Sequence, residues 1–281
     1  MSIFAGKSAL IFGGGLNIGR AVAQEFSRRG ARVAVADLNV EGATEAAARI
    51  RAEGGEAIAL RCDVTDSDSL RAAAAEAEAA FGEIDIVMNN AGILCSGNPE
   101  DFPFSEWERV INCNLLSMVR SNEIFLPKMI ARGSGHIVNT ASFAGLYPYG
   151  INRLPYAVSK AGVLNLSQNL ALYLMPRGVK VSCLCPGPVM TSIANGLKSF
   201  SGNVPMYGPG KHLWVKSQAE TATILADGME AGRIFIPTHE EAFDTMAAWA
   251  ASPDDFIRAQ AAAFAAGDEG RPQFDPAKAG V

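Results

Sequence analysis

Basic residues are in the minority in this chain, and long apolar runs are missing. Its 281 residues include 29 Asp or Glu and 24 Lys or Arg, a formal net charge of −5. Without a polybasic patch we expect neither nucleic acid nor an anionic membrane as a partner. No segment approaches the ~18 uninterrupted apolar residues of a membrane span. The N-terminus also lacks a basic region followed by a hydrophobic stretch. These absences predict a cytoplasmic protein whose partner is a small molecule.

Paired cysteines are absent as well. Five cysteines occur, an odd number, and no two have the CxxC spacing of a zinc site. They are Cys62, Cys95, Cys113, Cys183 and Cys185. We therefore expect no metal site, and interpret these residues as small buried side chains in a reducing compartment. With 49% hydrophobic and 19% charged residues, the chain has an ordinary globular composition.

Short apolar runs alternate with longer amphipathic stretches as far as residue 187. Strands are predicted at residues 9–12, 33–36, 57–60, 84–88, 136–140, 179–185 and 233–237. Helices are predicted at residues 18–29, 41–53, 67–81, 104–132, 155–175, 217–231 and 247–265. This alternation is typical of a parallel sheet covered on both faces. The predicted fold is α/β, a doubly wound Rossmann-type sheet of about seven strands.

One domain is predicted over residues 1–266, because no composition shift marks a boundary. Residues 191–216 are rich in Gly, Pro, Ser and scattered aromatic residues and show poor periodicity. Long irregular segments in compact domains are commonly functional. We interpret residues 191–216 as a substrate-binding loop and residues 267–281 as a polar C-terminal tail.

A glycine-rich turn joins the first predicted strand to the first helix. The turn contains Gly13, Gly15, Asn17, Ile18 and Gly19. Glycines here let the backbone approach a pyrophosphate, whose charge is met by the N–H groups and dipole of the helix N-terminus. On the first strand of an alternating α/β pattern, the turn predicts dinucleotide binding.

Asp37 ends the second predicted strand and is followed by Leu38. A carboxylate here can accept hydrogen bonds from both ribose hydroxyls and repels a 2′-phosphate. No basic residue occupies the turn, where Leu16 stands. NAD is therefore favoured over NADP. Because Asp is also common at helix starts, an N-cap role for Asp37 is the alternative.

Tyr156 and Lys160 lie four residues apart in a predicted helix. Such residues share one helix face, so the ammonium can favour the phenolate form of the tyrosine, which then exchanges protons with an alcohol or ketone. Chance supplies the same spacing at Tyr207 and Lys211, but Gly-Pro-Gly between them forbids a helix. The first pair therefore depends on its surroundings for its meaning.

Those surroundings resemble the short-chain dehydrogenase/reductase family over roughly residues 5–237. Asp63-Val64 follows the third predicted strand and Asn89-Asn90-Ala91-Gly92 the fourth. Asn114 lies in a predicted helix, Ser142 ends the fifth strand, and Pro186-Gly187-Pro188-Val189-Met190-Thr191 follows the sixth. Together with the glycine turn and the Tyr156/Lys160 pair, these motifs occur in the family's order.

The resemblance implies catalytic roles for Asn114, Ser142, Tyr156 and Lys160. Tyr156 is the acid/base, Ser142 hydrogen-bonds the substrate oxygen, Lys160 also binds the nicotinamide ribose, and Asn114 holds a water that links Lys160 to solvent. The residues implied to bind NAD are Gly13, Gly15, Asn17, Ile18, Gly19, Asp37, Leu38, Asp63, Val64, Asn90, Ala91, Gly92, Tyr156, Lys160, Pro186, Gly187, Val189 and Thr191.

Two positions depart from the family pattern. Phe12 stands where the family usually has Thr, and Asn17 where it usually has its middle glycine. After Gly, Asn is the residue that best tolerates a left-handed backbone, so we expect Asn17 to preserve the turn and to reach a phosphate itself. The last strand ends in Thr238-His239, as in one branch of the family. A structural role is expected for His239, with substrate or interface contact as the alternative.

Substrate contacts are expected from the segments after the strands. The candidate residues are Leu94, Ser142, Tyr149, Met190, Met206 and Trp214. Their character predicts a bulky, hydrophobic or aromatic secondary alcohol and its ketone. The final third is somewhat similar to dehydrogenases of aromatic alcohols and of hydroxysteroids.

Other functions remain open alongside NAD-dependent alcohol oxidation or ketone reduction. They are a catalytically inactive NAD-binding regulator, an enzyme of small polyols or sugars, and an epimerase of the extended branch. The family also forms oligomers through long helices, so a homodimer or homotetramer is expected.

Overall fold

A seven-stranded parallel sheet forms the centre of the molecule. The computed structural model describes residues 2–195 and 197–275. Its strands are β1 (Ser8–Phe12), β2 (Arg32–Asp37), β3 (Ala57–Arg61), β4 (Ile86–Asn89), β5 (Cys95–Ser96), β6 (Gly135–Thr140), β7 (Val179–Cys185), β8 (Lys198–Ser199) and β9 (Phe235–Pro237). The sheet order is β3-β2-β1-β4-β6-β7-β9, while β5 and β8 pair separately. The predicted doubly wound Rossmann-type fold is confirmed.

Helices cover both faces of this sheet. They are α1 (Asn17–Arg28), α2 (Val40–Ala52), α3 (Ser67–Phe81), α4 (Phe104–Ile111), α5 (Ser117–Arg132), α6 (Leu154–Leu174), α7 (Gln218–Glu230), α8 (Ala242–Ala251) and α9 (Pro253–Ala265). One hydrophobic cluster joins α1, α2 and α7 to the sheet. A second cluster joins α3, α5 and α6 to the opposite face. The strands are buried on both sides, which explains their near-continuous Val, Ile, Leu and Ala content.

The chain reverses its direction of strand addition between β1 and β4. From β1 it proceeds to β2 and β3 on one side, then crosses to β4, β6, β7 and β9 on the other. Such a switch point opens a crevice outside the carboxyl ends of the strands, where ligands of open α/β sheets bind. None of the helices in residues 2–195 and 197–275 has the length and apolarity to cross a membrane.

The helix predicted at residues 104–132 is continuous but not regular. A π turn at Asn112–Leu116 separates α4 from α5. Inside it, the Asn114 side chain is fully buried and bonded to Ile93 and Ser159. A π turn inserts one residue into a helix and re-aims the side chains it carries. The tertiary contacts of Asn114 thus account for a π turn that local periodicity does not show.

The C-terminal third packs over the carboxyl ends of the strands. The β8 strand, within the predicted loop at residues 191–216, pairs with β5. Residues 267–275 of the predicted tail pair with the same loop: Gln273 N donates to Leu213 O (2.7 Å), and Val215 N donates to Gln273 O (2.9 Å). The remaining residues of that tail, 276–281, lie outside the described part of the chain.

Candidate active site

A cavity of about 1230 Å³ lies at the switch point, between the strand ends and the C-terminal segments. Most of the sequence-predicted site residues line it. They are Gly13, Asn17, Ile18, Asp37, Leu38, Asp63, Val64, Asn90, Ala91, Gly92, Leu94, Ser142, Tyr149, Tyr156, Lys160, Pro186, Gly187, Val189, Thr191 and Met206. The fold therefore brings residues from across the sequence to one cleft.

The glycine turn supplies the floor of one half of this cavity. Gly13 has φ +75°, and a Cβ on it would lie 2.6 Å from Ala91 N. A Cβ on Gly19 would lie 1.9 Å from Gly13 O, and one on Gly15 would lie 2.8 Å from Ala43 N. Gly15 and Gly19 do not line the cavity, because close packing of backbone against backbone accounts for both positions.

The first turn of α1 presents backbone donors to the cavity. Leu16 is the N-cap, and its side chain caps no N–H group of the helix. Leu16, Asn17 and Ile18 all line the cavity. An uncapped helix start carries N–H groups and a positive dipole end, which together suit a phosphate group. This donor set fits the pyrophosphate of a dinucleotide.

Asn17 occupies the left-handed region with φ +50°, as expected for Asn in place of glycine. Its Oδ1 accepts hydrogen bonds from Ser192 N (2.9 Å) and Ser192 Oγ (3.0 Å). A weaker contact reaches Gln218 Nε2 at 3.4 Å. The side chain thus joins the glycine turn to the loop that follows β7.

Asp37 faces the cavity from the end of β2. Its Oδ2 accepts from Gly15 N (2.9 Å) and its Oδ1 from Asn39 N (2.9 Å). Asn39, not Asp37, is the N-cap of α2, since its side chain accepts from Gly42 N. The N-cap alternative for Asp37 is therefore wrong. Each carboxylate oxygen of Asp37 keeps a lone pair for a further donor.

Asp63 follows β3 at the same end of the cavity. Its Oδ1 accepts from Thr65 Oγ1 (2.7 Å) and Thr65 N (2.9 Å). These hydrogen bonds lower the pKa of Asp63, because they stabilise the charged carboxylate. Asp63 is therefore anionic at neutral pH. Its neighbour in the motif, Val64, is apolar and 9% exposed.

Tyr156 and Lys160 lie on the face of α6 that looks toward β6. Lys160 is 3% exposed, its Nζ donates to Thr140 O (2.7 Å), and it lies 5.7 Å from the centroid of the Tyr156 ring. Thr140 Oγ1 bonds Asn90 Oδ1 (3.2 Å), and Asn90 Nδ2 donates to Gly13 O (2.9 Å). A chain of hydrogen bonds thus links the lysine to the glycine turn.

The other Tyr/Lys pair of the same spacing has no such arrangement. Tyr207 packs on Phe264 with ring centroids 4.1 Å apart, and Lys211 pairs with Asp268 at 2.8 Å. Only a helix aligns residues four apart, and residues 207–211 are not helical.

Ser142 lines the cavity from the end of β6. Its Oγ accepts from Ala144 N (3.2 Å) and so caps the short turn at Phe143–Gly145. A hydroxyl that accepts one hydrogen bond still has its proton to donate and a second lone pair. The turn cap and a contact with a substrate oxygen are therefore compatible.

Asn114 lies behind the cavity wall and does not line it. Its Oδ1 accepts from Ile93 N (2.8 Å), and its Nδ2 donates to Ile93 O (3.0 Å) and Ser159 Oγ (3.0 Å). Both amide protons are used, which leaves one lone pair on Oδ1. A Cβ on Gly92 would lie 3.6 Å from that Oδ1 and 3.4 Å from Lys160 Nζ. Both groups therefore border the same small space at Gly92.

Leu94, Tyr149 and Met206 line the part of the cavity expected to hold a substrate. Burial raises the pKa of Tyr149 to about 12, so its phenol is neutral at ordinary pH. Met190 and Trp214 are not brought to the cavity. Backbone pairing fixes both elsewhere: Met190 N donates to Lys216 O, and Trp214 forms a bridge with Gln273.

Several cavity residues escaped sequence reasoning. Arg153 could have been noticed, because it lies three residues before Tyr156 and so close to the same helix face. Lys198 lies in the predicted substrate loop at residues 191–216, whereas Arg109 and Pro272 carry no local signal. They reach the cavity through long-range pairing of α4, β8 and residues 267–275 with distant segments.

His239 connects the last strand to the loop at residues 191–216. Gly187 N donates to Thr238 Oγ1 (2.8 Å), which contacts His239 Nδ1 (2.9 Å), and His239 Nε2 contacts Trp214 O (2.6 Å). Because a carbonyl only accepts, Nε2 carries the proton and Nδ1 accepts from Thr238. Burial lowers the pKa of His239 and favours this neutral form.

All five cysteines are buried, as expected, and carry free thiols. Burial raises the pKa of both Cys62 and Cys95 to about 12. Their thiols therefore remain protonated at neutral pH, which suits small apolar packing residues.

Known proteins with the same architecture carry related sequences. Residues 7–201 match the family model described as short chain dehydrogenase. The chain is 36% identical over 207 residues to 2,5-dichloro-2,5-cyclohexadiene-1,4-diol dehydrogenase of Sphingobium indicum, covering 72% of this chain and 82% of that one. It is 38% identical over 208 residues to trans-4-hydroxycyclohexanecarboxylate dehydrogenase of Sinomonas cyclohexanicum, covering 72% and 80%.

A third relative is D-threitol dehydrogenase of Mycolicibacterium smegmatis, 36% identical over 197 residues, with 70% of this chain and 75% of that one covered. Among solved structures, a short chain dehydrogenase/reductase from Burkholderia phymatum in complex with NAD matches with a TM-score of 0.77. That match has 29% identity and covers 88% of this chain and 93% of the other. The chain belongs to the short chain dehydrogenase family of oxidoreductases.

Proposed function

We propose that this protein is an NAD-dependent oxidoreductase that interconverts a secondary alcohol and a ketone. One observation carries the proposal: Ser142, Tyr156 and Lys160 line the same cavity as the uncapped start of α1 and the carboxylate of Asp37. A dinucleotide site and a proton-transfer group thus share one cleft. The nicotinamide, when bound, supplies the hydride chemistry.

The residues of the chain have separate tasks in this proposal. The start of α1 binds the pyrophosphate, Asp37 accepts from the adenosine ribose, and the segment from Pro186 to Thr191 covers the nicotinamide. Tyr156 takes the proton from the substrate hydroxyl during oxidation and returns it to the ketone oxygen during reduction. Ser142 hydrogen-bonds the same oxygen.

Lys160 supports the tyrosine electrostatically. Its ammonium is buried, held by Thr140 O, and faces the Tyr156 ring at 5.7 Å. In a water-poor cleft a cation at this range favours the phenolate. Asn114 borders the space beside Lys160, and we assign it the role of holding a water that passes the proton to solvent.

NAD is favoured over NADP by charge. The Asp37 carboxylate lines the adenosine half of the cavity, where a 2′-phosphate would meet it. Of the described residues that line the cavity, the cations are Arg109, Arg153, Lys160 and Lys198, all beyond β1 and β2 in the chain. None of them follows β2, where a 2′-phosphate would need a partner.

The substrate we propose is bulky and largely hydrophobic, with cyclic or aromatic character. Leu94, Leu197, Met206 and Val215 line the corresponding part of the cavity. Two relatives are named for six-membered carbocyclic substrates, a chlorinated cyclohexadiene diol and a hydroxycyclohexanecarboxylate. A third is named for D-threitol, and it favours a small polyol as the second candidate.

A reduction assay with NAD⁺ and NADP⁺ across cyclic, aromatic, steroid and polyol alcohols tests these proposals together. We expect NADH formation with cyclic or aromatic alcohols. A preference for NADP⁺ would contradict the role of Asp37, and a preference for polyols would select the second candidate. NAD binding without turnover of any alcohol would indicate a regulatory protein instead.

The variant Tyr156→Phe tests the chemistry itself. Loss of the acid/base should lower kcat by about 10²- to 10⁴-fold, while NADH still binds, since the ring remains in place. Tyr173→Phe is the matched control, because Tyr173 is exposed on α6 away from the cavity. Near-normal turnover by Tyr156→Phe would refute the assignment.

A further inference from the structure

The charged guanidinium of Arg153 lies in the substrate part of the cavity and has few hydrogen-bond partners there. The residue lines the cavity and directly precedes α6. Its Nη2 donates to Tyr207 O, and its Cζ lies 5.1 Å from the centroid of the Tyr149 ring. Its Nε is buried, and no partner for it exists among residues 2–195 and 197–275. Apart from the Nη2 bond, this guanidinium makes no hydrogen bond to the described residues, and the N–H groups of Nη1 therefore remain available to a ligand.

Two of the other three described cations that line the cavity, Arg109 and Lys198, differ from Arg153 because they lie beside a carboxylate. Arg109 pairs with Glu106 at 2.6 Å, and Lys198 lies 3.8 Å from the same carboxylate. Within the described part of the chain, Arg153 has no carboxylate within ion-pair distance. Arg153 shares this property with Lys160, whose ammonium donates to Thr140 O beside Tyr156 and belongs to the proton-transfer group.

The acidic residues of the cavity lie far from Arg153 in the sheet. Of the described lining residues, only Asp37 and Asp63 are acidic. They follow β2 and β3, on one side of the switch point, whereas Arg153 follows β6 on the other. The cavity is thus acidic at its adenosine end and cationic at its substrate end.

A half-buried guanidinium without a counter-ion is costly in free energy, because burial removes hydrating water and no partner replaces it. Its planar fork of donors matches a carboxylate, which can accept two parallel hydrogen bonds. The positive end of the 21-residue helix α6, directly after Arg153, favours an anion at the same place. The charge and the unused donors both call for a carboxylate.

We propose that the physiological substrate is a secondary alcohol or ketone that bears a carboxylate, and that Arg153 binds this group. The inference rests on the proposed function and names its substrate class. Arg153 is the N-cap of α6, three residues before Tyr156, and both line the cavity, so we place the carboxylate a few bonds from the carbon that carries the hydroxyl. Apolar lining residues such as Leu94 and Met206 then enclose the body of the molecule between its two polar ends.

Matched substrates test the proposal on the wild-type protein. Each hydroxy acid is compared with its uncharged carboxamide: 3-hydroxybutyrate, 4-hydroxycyclohexanecarboxylate and 3-hydroxy-3-phenylpropionate, which differ in size and in the distance between the two groups. For at least one pair we expect kcat/KM for the acid to exceed that for the amide on the order of 10- to 100-fold. Equal or lower values for all three acids would overturn the proposal.

Variants then assign the preference to Arg153. Arg153→Gln should reduce the acid-to-amide ratio of kcat/KM to near one, and Arg153→Lys should retain part of it. Arg177→Gln is the matched control: Arg177 also donates to a tyrosine carbonyl, Tyr173 O, and stacks on that ring at 3.9 Å, but it does not line the cavity. An acid preference that survives Arg153→Gln in a folded protein, as judged by circular dichroism, would also overturn the proposal.

Calorimetry separates failure of this inference from failure of the proposed function. If no alcohol or ketone is turned over, the proposed function fails. The NADH-loaded wild-type protein is then titrated with each acid and its amide. Binding of an acid but not its amide, lost in Arg153→Gln, supports the carboxylate site on its own. Equal binding of acids and amides, or binding of neither, contradicts it.

Discussion

Asn17 combines two properties that usually belong to different residues. It accepts a left-handed backbone at φ +50°, and its side chain holds Ser192 of the loop after β7. Glycine can do only the first, and alanine neither. The residue therefore ties the covering segment of the cavity to the dinucleotide turn.

Replacing Asn17 by Gly should separate these properties. We expect Asn17→Gly to keep its melting temperature within a few degrees but to raise the Kd of NADH about 5- to 10-fold, because two hydrogen bonds to Ser192 are lost. Asn17→Ala should also lose about 1 kcal/mol of stability, since alanine resists positive φ. Fluorescence titration and thermal unfolding measure both effects. Unchanged NADH binding by Asn17→Gly would show that the tie is irrelevant to the cofactor.

His136 predicts acid sensitivity of the fold. Burial, assisted by the charge of Lys180, lowers its pKa to about 3, whereas an exposed histidine titrates near 6.5. Between pH 6.5 and 3, His136 therefore binds a proton in the unfolded chain but not in the folded protein. Stability present above pH 6.5 is lost as pH falls, by about 2–3 kcal/mol at pH 4.5.

Urea unfolding at pH 7 and pH 4.5 measures this loss. We expect His136→Gln to be less stable than the wild type at pH 7, since Ser182 Oγ loses its contact with His136 Nε2 (2.9 Å) and keeps only its bond to Arg233 O, but to lose less stability between the two pH values. His212→Gln, at an exposed site, is the control. The same pH dependence in His136→Gln and wild type would refute the linkage.

At the scale of residues, the sequence predicts which side chains perform the reaction better than it predicts which substrate they accept. Tyr156, Lys160 and Asp37 could be placed because strand ends and helix spacing are local patterns. Arg153 lies close to Tyr156 in the sequence, but a lone arginine there does not distinguish a ligand-binding residue from one paired with a carboxylate. Whether Arg153 forms an ion pair depends on the positions of all carboxylates in the folded chain, and no local sequence pattern predicts those positions.

Elements formed by local periodicity are predicted well, and those formed by distant contacts are not. The predicted strand at residues 179–185 coincides with β7, and the helix at residues 67–81 with α3. The π turn at Asn112–Leu116 and the pairing of β5 with β8 have no local signature. Both depend on partners that lie roughly 20 to 100 residues away, such as Ile93 for Asn114.

Pairing of residues 267–275 with the substrate loop gives an element-scale prediction. Gln273→Pro removes the N–H that donates to Leu213 O at 2.7 Å, whereas Gln273→Ala keeps it. We expect the proline variant to raise substrate KM several-fold and to speed amide hydrogen exchange in residues 206–216. The alanine variant loses only the side-chain bond to Lys211 O. Equal behaviour of the two variants would mean that the backbone pairing does not shape the site.

The surface of the whole molecule carries apolar side chains on the helices of one side. Phe104 and Leu172 are each 75% exposed, and Val119 is 47% exposed. They belong to α4, α6 and α5, the helices through which a homodimer or homotetramer is expected. We therefore propose that a second copy of the chain covers these residues.

Leu172→Glu should dissociate such an assembly. A charge in the centre of an apolar interface loses its hydration without gaining a partner. Size-exclusion chromatography with light scattering should show a dimer or tetramer for the wild type and a smaller species for the variant. Ile257→Glu, at a 51% exposed site on α9, is the control. Dissociation by Ile257→Glu alone would place the interface on the C-terminal helices instead.

The cavity is divided along the chain as well as in space. Its chemical half comes from residues 7–201, the part that matches the family model, while Met206, Tyr207, Val215 and Pro272 close it from beyond that part. Substrate recognition can therefore differ between members of the family while the reaction stays the same. Grafting residues 202–275 onto a relative's first two hundred residues becomes a practical route to new enzymes, provided that Arg153, which lies outside the grafted segment, is introduced into the recipient by mutation.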